Sequence, residues 1–312
     1  MPPSPCPLSP SPSTMHAVHS MGPLLALGLL EIMKSGATTL VNQFRPRQRA
    51  IFDLARQWAA PTYFLPRQRS KVAAAAQGSL AGDPGLAAFE RLFGDYDEGP
   101  SGRIRVMLGP HAADSCAPDL LTALDRIARE RDLLVTIHLA QSQGKVARVA
   151  KDRGATCADY VASVGFLREG VIFAHGNYLT APELAKVAGS GAAIVNCASV
   201  FLRGGKSPNF AHFKSHGIRV GLGTDAERMD FFAQMRATGF ASKQATGAGH
   251  AGTPPPSWFT PPLSPAPTSS VAPTLAGSAP VPLRILSSRC HAGAPARGPR
   301  SDPNAGVVCL LS

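Results

Sequence analysis

The chain has 312 residues, 44% of them hydrophobic, with 29 prolines, 30 glycines and a net charge of +11. That length bounds it to one large domain or two small ones with a sizeable core. The charge is scattered in small clusters (Arg45, Arg47 and Arg49; Arg67 and Arg69) with no continuous stripe and no interleaved aromatics, which argues against a nucleic-acid partner.

The prolines partition the chain. Six fall in Met1–Pro12 and thirteen in Thr253–Pro303. The reading is therefore a disordered Ser/Pro-rich N-terminus (1–20), a folded body (21–243) and a Pro-rich low-complexity tail (244–312). A PxxP spacing at Pro262–Pro265 belongs to that tail, and a scaffold whose tail is the working part ranks last among the readings. The six cysteines form no CxxC pair, so separate reduced thiols and a cytoplasmic location are expected. The first 33 residues hold no Lys or Arg, against a secretory leader; their Ser/Pro richness keeps a plastid address as the alternative. The longest apolar run, GPLLALGLLEIM, is short and carries Glu31, so no membrane span is expected.

From Leu24 onward helix and strand signals alternate. LLALGLLEIMKSG reads as a helix stopped at Gly36. ATTLVN (37–42) is a strand, RQRAIFDLARQWA a helix and APTYFLP (60–66) a strand, while 70–83 is Ala/Gly-rich and undefined. PGLAAFERLF is a helix and RIRVMLG (103–109) a strand. APDLLTALDRIARERD is an amphipathic helix with Pro118 in its first turn. The strand LLVTIHL (133–139) precedes the helix GKVARVAKDRG, and GVIFAH (170–175) precedes the helix APELAKVAGSG. AAIVNC (192–197), the short helix FAHFKSHG, IRVGLGT (218–224) and a last helix over 228–243 complete the body. Seven apolar strands separated by helices predict a parallel sheet covered on both faces, hence a (β/α) barrel, with an open doubly wound sheet as runner-up. No GxGxxG or Walker motif supports the runner-up.

The strands end in chemistry. VTIHLAQ carries His138, VIFAHGN His175, VGLGTDA Asp225, and RVMLGPHAADSC has His111 just beyond its end. In a parallel barrel the carboxyl ends converge on the catalytic face. Imidazole nitrogen plus carboxylate oxygen suits zinc or iron. Taken singly, a strand-end histidine is usually a core residue and Asp225 a helix N-cap. Four at equivalent ends outweigh that reading.

HLAQS, AHGN, NCASVFLRGG and VGLGTDA, in this order on successive strands, resemble the amidohydrolase superfamily. Within it they are similar to the cytosine-deaminase-like and chlorohydrolase-like branch that acts on nitrogen heterocycles. The resemblance runs over about Leu24 to Lys243. It implies an α/β fold, an incomplete (β/α)8 TIM-type barrel lacking its first strand. It implies one divalent metal, zinc ahead of iron, held by His138 and Asp225. Asp225 would also carry a proton, His175 would orient water or substrate and stabilise the tetrahedral intermediate, and His111 would contact the heterocycle. Gln141 stands where the family usually has glutamate, and it can hydrogen-bond substrate without shuttling a proton.

Two further departures shape the expectations. The family's HxH on strand one is missing; His16 and His19 have an HxxH spacing and are read as non-ligands, as are His212 and His216, four apart on a short surface helix. The final barrel portion of the family also gives way to the Pro-rich tail. Bare sheet edges at 37–42 and 218–224 would then invite oligomerisation. The function read from this is a metal-dependent hydrolase of carbon–nitrogen bonds, an amidohydrolase or deaminase. Its alternative is an inactive fragment that partners a full-length relative.

Overall fold

In the computed structural model the described residues are 21–35, 40–42, 53, 62–64, 67–68, 84–98, 104–206, 210–225, 229–245 and 309–311. The expected helix around 47–59, the Ala/Gly-rich stretch 70–83 and the pair His16/His19 lie outside them, apart from Asp53. Helices run over Met21–Lys34 (α1), Pro84–Tyr96 (α2), Pro118–Glu130 (α3), Gln143–Arg153 (α4), Cys157–Ser163 (α5), Ala181–Ser190 (α6), Ala198–Arg203 (α7), Phe210–Ser215 (α8) and Phe231–Ala245 (α9). Strands run over Leu40–Asn42 (β1), Thr62–Phe64 (β2), Arg67–Gln68 (β3), Ile104–Val106 (β4), Gly109–Pro110 (β5), Val135–Leu139 (β6), Val171–His175 (β7), Ala193–Asn196 (β8), Arg219–Leu222 (β9) and Cys309–Leu311 (β10). The single strand expected over 103–109 divides into β4 and β5, and the short helices α5 and α7 were not legible as periodic patterns.

All ladders are parallel. One sheet has the order β10-β1-β2-β4 and another β6-β7-β8-β9. The residues after β4 join the two sheets. Leu108 N–H donates to Leu134 O (3.0 Å) and Thr136 N–H to Leu108 O (2.9 Å), with bridges Leu108–Val135 and Ala112–His138. β10 also runs beside β9. Followed round, the strands are β10, β1, β2, β4, β6, β7, β8 and β9, the succession of a barrel.

β10 corrects an expectation. Residues 309–311 were assigned to a structureless tail, and the edge of β1 was expected to be bare. Instead Leu40, Val41 and Asn42 pair in register with Cys309, Leu310 and Leu311. A backbone ladder needs only an extended segment within reach, which no local pattern in a Pro-rich context announces. A chain ending at residue 308 is expected to lose about 2 kcal/mol, from the lost ladder hydrogen bonds. The freed β1 edge should favour self-association, visible by size-exclusion chromatography beside a thermal melt. Identical behaviour of the shortened chain would show that β10 contributes nothing to closure.

The two-residue alternation of the strands sorts the core into layers. Val135, Ile137 and Leu139 of β6, Val171 and Phe173 of β7 and Ile194 of β8 join the large cluster that packs against Leu121, Leu124, Val161, Leu184 and Val187 of the helices. The opposite set, Val41, Met107, Ile172, Ala174, Val195 and Cys197, forms a separate inner cluster. A third cluster ties Leu29 and Ile32 of α1 to Phe231 and Met235 of α9. There the buried Ser35 Oγ accepts from Phe231 N–H (3.2 Å), joining the first described helix to the last. Among the described residues no helix is long and apolar enough to cross a membrane.

The helical turns are fixed locally. Ser142 Oγ accepts from Lys145 N–H at the start of α4, and Gly154 (φ 64°) closes it. Thr180 and the buried Glu183 form a capping box on α6, and Glu183 Oε1 also accepts from Ala158 N–H (3.1 Å). Asp125 on α3 accepts from Arg129 Nε and Arg168 Nε, both at 2.8 Å, and so ties α3 to the segment entering β7. Gly165 (φ 88°) passes directly over that carboxylate, where a Cβ would strike it. Gly165→Ala is expected to cost roughly 2 kcal/mol through left-handed strain and displacement of Asp125. Equal melting temperatures for variant and parent would refute this.

Candidate active site

His138 and His175 stand at the ends of strands β6 and β7, and His111 and Asp225 follow β5 and β9. His138 alternates inward between the outward Ile137 and Leu139. Its Nδ1 lies 2.6 Å from the carbonyl oxygen of His111, so Nδ1–H donates and Nε2 is the nitrogen left to face the pocket. His111 Nδ1 in turn lies 2.6 Å from Ser115 Oγ. The His111 and His138 rings are 5.4 Å apart between centroids, and those of His138 and His175 are 5.1 Å apart.

His175 needs a backbone anomaly to join them. Strict alternation after Phe173 (outward) and Ala174 (inward) would send its ring outward. The residue adopts φ 81°, a left-handed value rare for a side chain with a Cβ. The ring thereby packs beside His138 and edge-on to Phe201 of α7 at 5.1 Å. Asp225 (φ 53°) and Ala140 (φ 45°) are left-handed too, each just beyond a strand end. Three such residues at one mouth store strain of about 1–3 kcal/mol each, a pattern that accompanies functional sites.

His175 is 1% exposed, and neither ring nitrogen has a hydrogen-bond partner. Its Nε2 stands 3.9 Å from Asp225 Oδ2. Burial, with Lys145 adding a smaller push, lowers its pKa to about 3, so the ring is neutral and keeps a lone pair. Cys197, 1% exposed, follows β8 at the same mouth. One ligand atom each of His175, Cys197 and Asp225 lie within 4.8 Å of one another. Gln141 is half-buried just past β6, and its Oε1 accepts from Lys145 Nζ. His111, His138, His175 and Asp225 therefore come together, with Gln141 at the rim. His212 and His216 pair with each other instead, centroids 4.5 Å apart, at the end of α8.

Sequence reasoning counted Cys197 among separate thiols and within the NCASVFLRGG segment, without weighing it as a ligand. The available signal was the one used for the histidines, since AAIVNC also ends in a ligand-type side chain.

Parallel strands wrapped by helices, with imidazole and carboxylate groups gathered at the carboxyl ends, define a barrel whose pocket is shared by several strands. The chain belongs to the amidohydrolase family, whose model matches residues 26–255. It is 28% identical over 233 residues to a 5-methylthioadenosine/S-adenosylhomocysteine deaminase of Halobacterium salinarum, covering 72% of this chain and 52% of that protein. To the enzyme of that name from Pyrococcus abyssi it is 31% identical over 160 residues, 49% of this chain and 37% of the other. The fold is similar to that of the zinc-complexed atrazine chlorohydrolase TrzN of Arthrobacter aurescens (TM-score 0.65, 20% identity, 73% of this chain and 54% of the other). It is also similar to a zinc-bound adenosine deaminase of Xanthomonas campestris (TM-score 0.62, 18% identity, 77% and 57%). The chain thus spans about half the length of the curated relatives it matches.

Proposed function

We propose that this chain is a metal-dependent hydrolase that releases an amino group from a small nitrogen heterocycle, a purine nucleoside or a related base. The observation that carries the reading is His175. A buried, neutral imidazole with two unsatisfied nitrogens, on strained backbone and 3.9 Å from a carboxylate, is costly unless something occupies the space it faces. The donor set fits a divalent cation, zinc before iron. His138 through Nε2 and Asp225 through its carboxylate would hold it. When bound, such a cation supplies the Lewis acidity that makes water nucleophilic near neutral pH.

The chain's own groups then divide the work. Asp225 accepts the proton of the attacking water and returns it to the leaving nitrogen. His175 orients the water and stabilises charge on the tetrahedral intermediate. His111, held by Ser115, contacts the ring of the substrate. Gln141 donates or accepts a hydrogen bond to substrate, and the neighbouring Lys145 keeps that amide oriented. A cytoplasmic location suits Cys116, Cys157 and Cys197, which form no disulfide.

The test is ammonia release by the purified full chain after zinc loading, with S-adenosylhomocysteine, 5-methylthioadenosine, adenosine and guanine as substrates. Release from at least one, lost on chelation, is the expected result. A chain that takes up zinc and releases no ammonia from any would favour the alternative, an inactive amidohydrolase fragment that partners a full-length relative. Gln141 in the place of a proton-shuttling glutamate is the feature pointing that way.

A further inference from the structure

We propose that Cys197 is a metal ligand, and that His175, Cys197 and Asp225 form a thiolate-containing centre. This deepens the hydrolase reading and rests on its metal; it reassigns His175 from orienting water to ligation.

Two ligands are too few. Catalytic zinc sites present at least three protein donors, and His138 with Asp225 supplies two. Among the described residues, the metal-compatible group of three is His175, Cys197 and Asp225. Their donor atoms lie within 4.8 Å of one another. Zinc–ligand bonds of about 2.0–2.3 Å place tetrahedral donors roughly 3.5 Å apart, so closure asks each side chain to move by about an ångström or less. His138 borders the trio, its ring 5.1 Å from that of His175.

Charge supports the set. A neutral imidazole, a thiolate and a carboxylate bring two negative charges against a divalent cation, so the buried site is neutral when filled. Without the cation, His175 keeps two orphaned nitrogens, an observation independent of the cysteine. A thiolate also selects zinc, cobalt or cadmium over magnesium and calcium. Position separates Cys197 from Cys116 and Cys157. Cys116 and Cys157 lie in the layer between sheet and helices, whereas Cys197 belongs to the inner cluster with Ala174 and Val195. Binding deprotonates the thiol, and the proton goes to solvent.

The experiment loads the metal-free full chain with cobalt(II) and records its absorption spectrum. A thiolate-to-cobalt charge-transfer band in the near ultraviolet is expected at one equivalent. It should vanish in Cys197→Ser, while Cys157→Ser keeps it. Cys197→Ser should still bind cobalt, at least tenfold more weakly. Cobalt bound with visible d–d bands but no charge-transfer band would overturn the proposal and leave the hydrolase reading standing, to be judged by ammonia release. A band that survives Cys197→Ser would overturn it as well, as would a chain that binds no cobalt. Misfolding of Cys197→Ser is checked by circular dichroism. In that event the parent decides, because cadmium should shield one thiol from alkylation in native protein, identified as Cys197 by peptide mapping.

Discussion

Asp225→Asn is expected to lower kcat/KM for ammonia release by roughly a thousandfold, within the range that general acid–base groups supply. The substitution is chosen for the backbone. Asp225 sits at φ 53°, a conformation that asparagine tolerates nearly as well as aspartate. The amide keeps the size and the hydrogen-bonding oxygen while removing the charge and the capacity to accept a proton. Steady-state kinetics with a parallel thermal melt separate a chemical loss from an unfolding loss. A variant that folds normally and keeps more than about a tenth of parental kcat/KM would remove Asp225 from proton transfer.

Phe173→Ala is expected to cost about 4 kcal/mol, the usual range for emptying a fully buried aromatic site. Phe173 is 0% exposed in the middle of β7 and belongs to the layer where the sheet meets the helices. At about 2–4 °C per kcal/mol for a folded unit of this size, the melting temperature should fall by roughly 8–16 °C. Differential scanning calorimetry checks it. A fall of less than about 3 °C would mean that this outer layer carries little of the fold's stability, against the ordinary cost of such a cavity. The contrast with its neighbour is instructive. Ala174 points the other way, into the inner cluster beneath the histidines, where a small side chain leaves room for the site.

Much of this was legible along the chain. Strands such as VTIHL and VIFAH announce burial on both faces because parallel strands sandwiched by helices have no wet side. Their spacing between amphipathic helices then leaves few architectures open, and a side chain at each strand's end must share one rim in a barrel. That is why His111, His138, His175 and Asp225 could be singled out before any coordinates, each by its place at the end of an apolar run. Asp225 required only that IRVGLGT be a strand, whereas Gln141, three residues after His138, was singled out through the family resemblance.

The remainder depends on contacts between residues distant in sequence. Nothing local shows that Cys309–Leu311 lies against β1, because a three-residue ladder is decided by which backbone comes within reach. Helices α5 and α7 have seven and six residues, and neither was read from the sequence. The left-handed turn at His175 runs against the preference of its own residue type, so only the surrounding packing can impose it. Cys197 meets an imidazole 22 positions earlier and a carboxylate 28 positions later only in the folded chain (197 − 175 and 225 − 197). Periodicity and chemistry are written residue by residue; barrel closure and the meeting of donor atoms are set by geometry summed over the whole ring of strands.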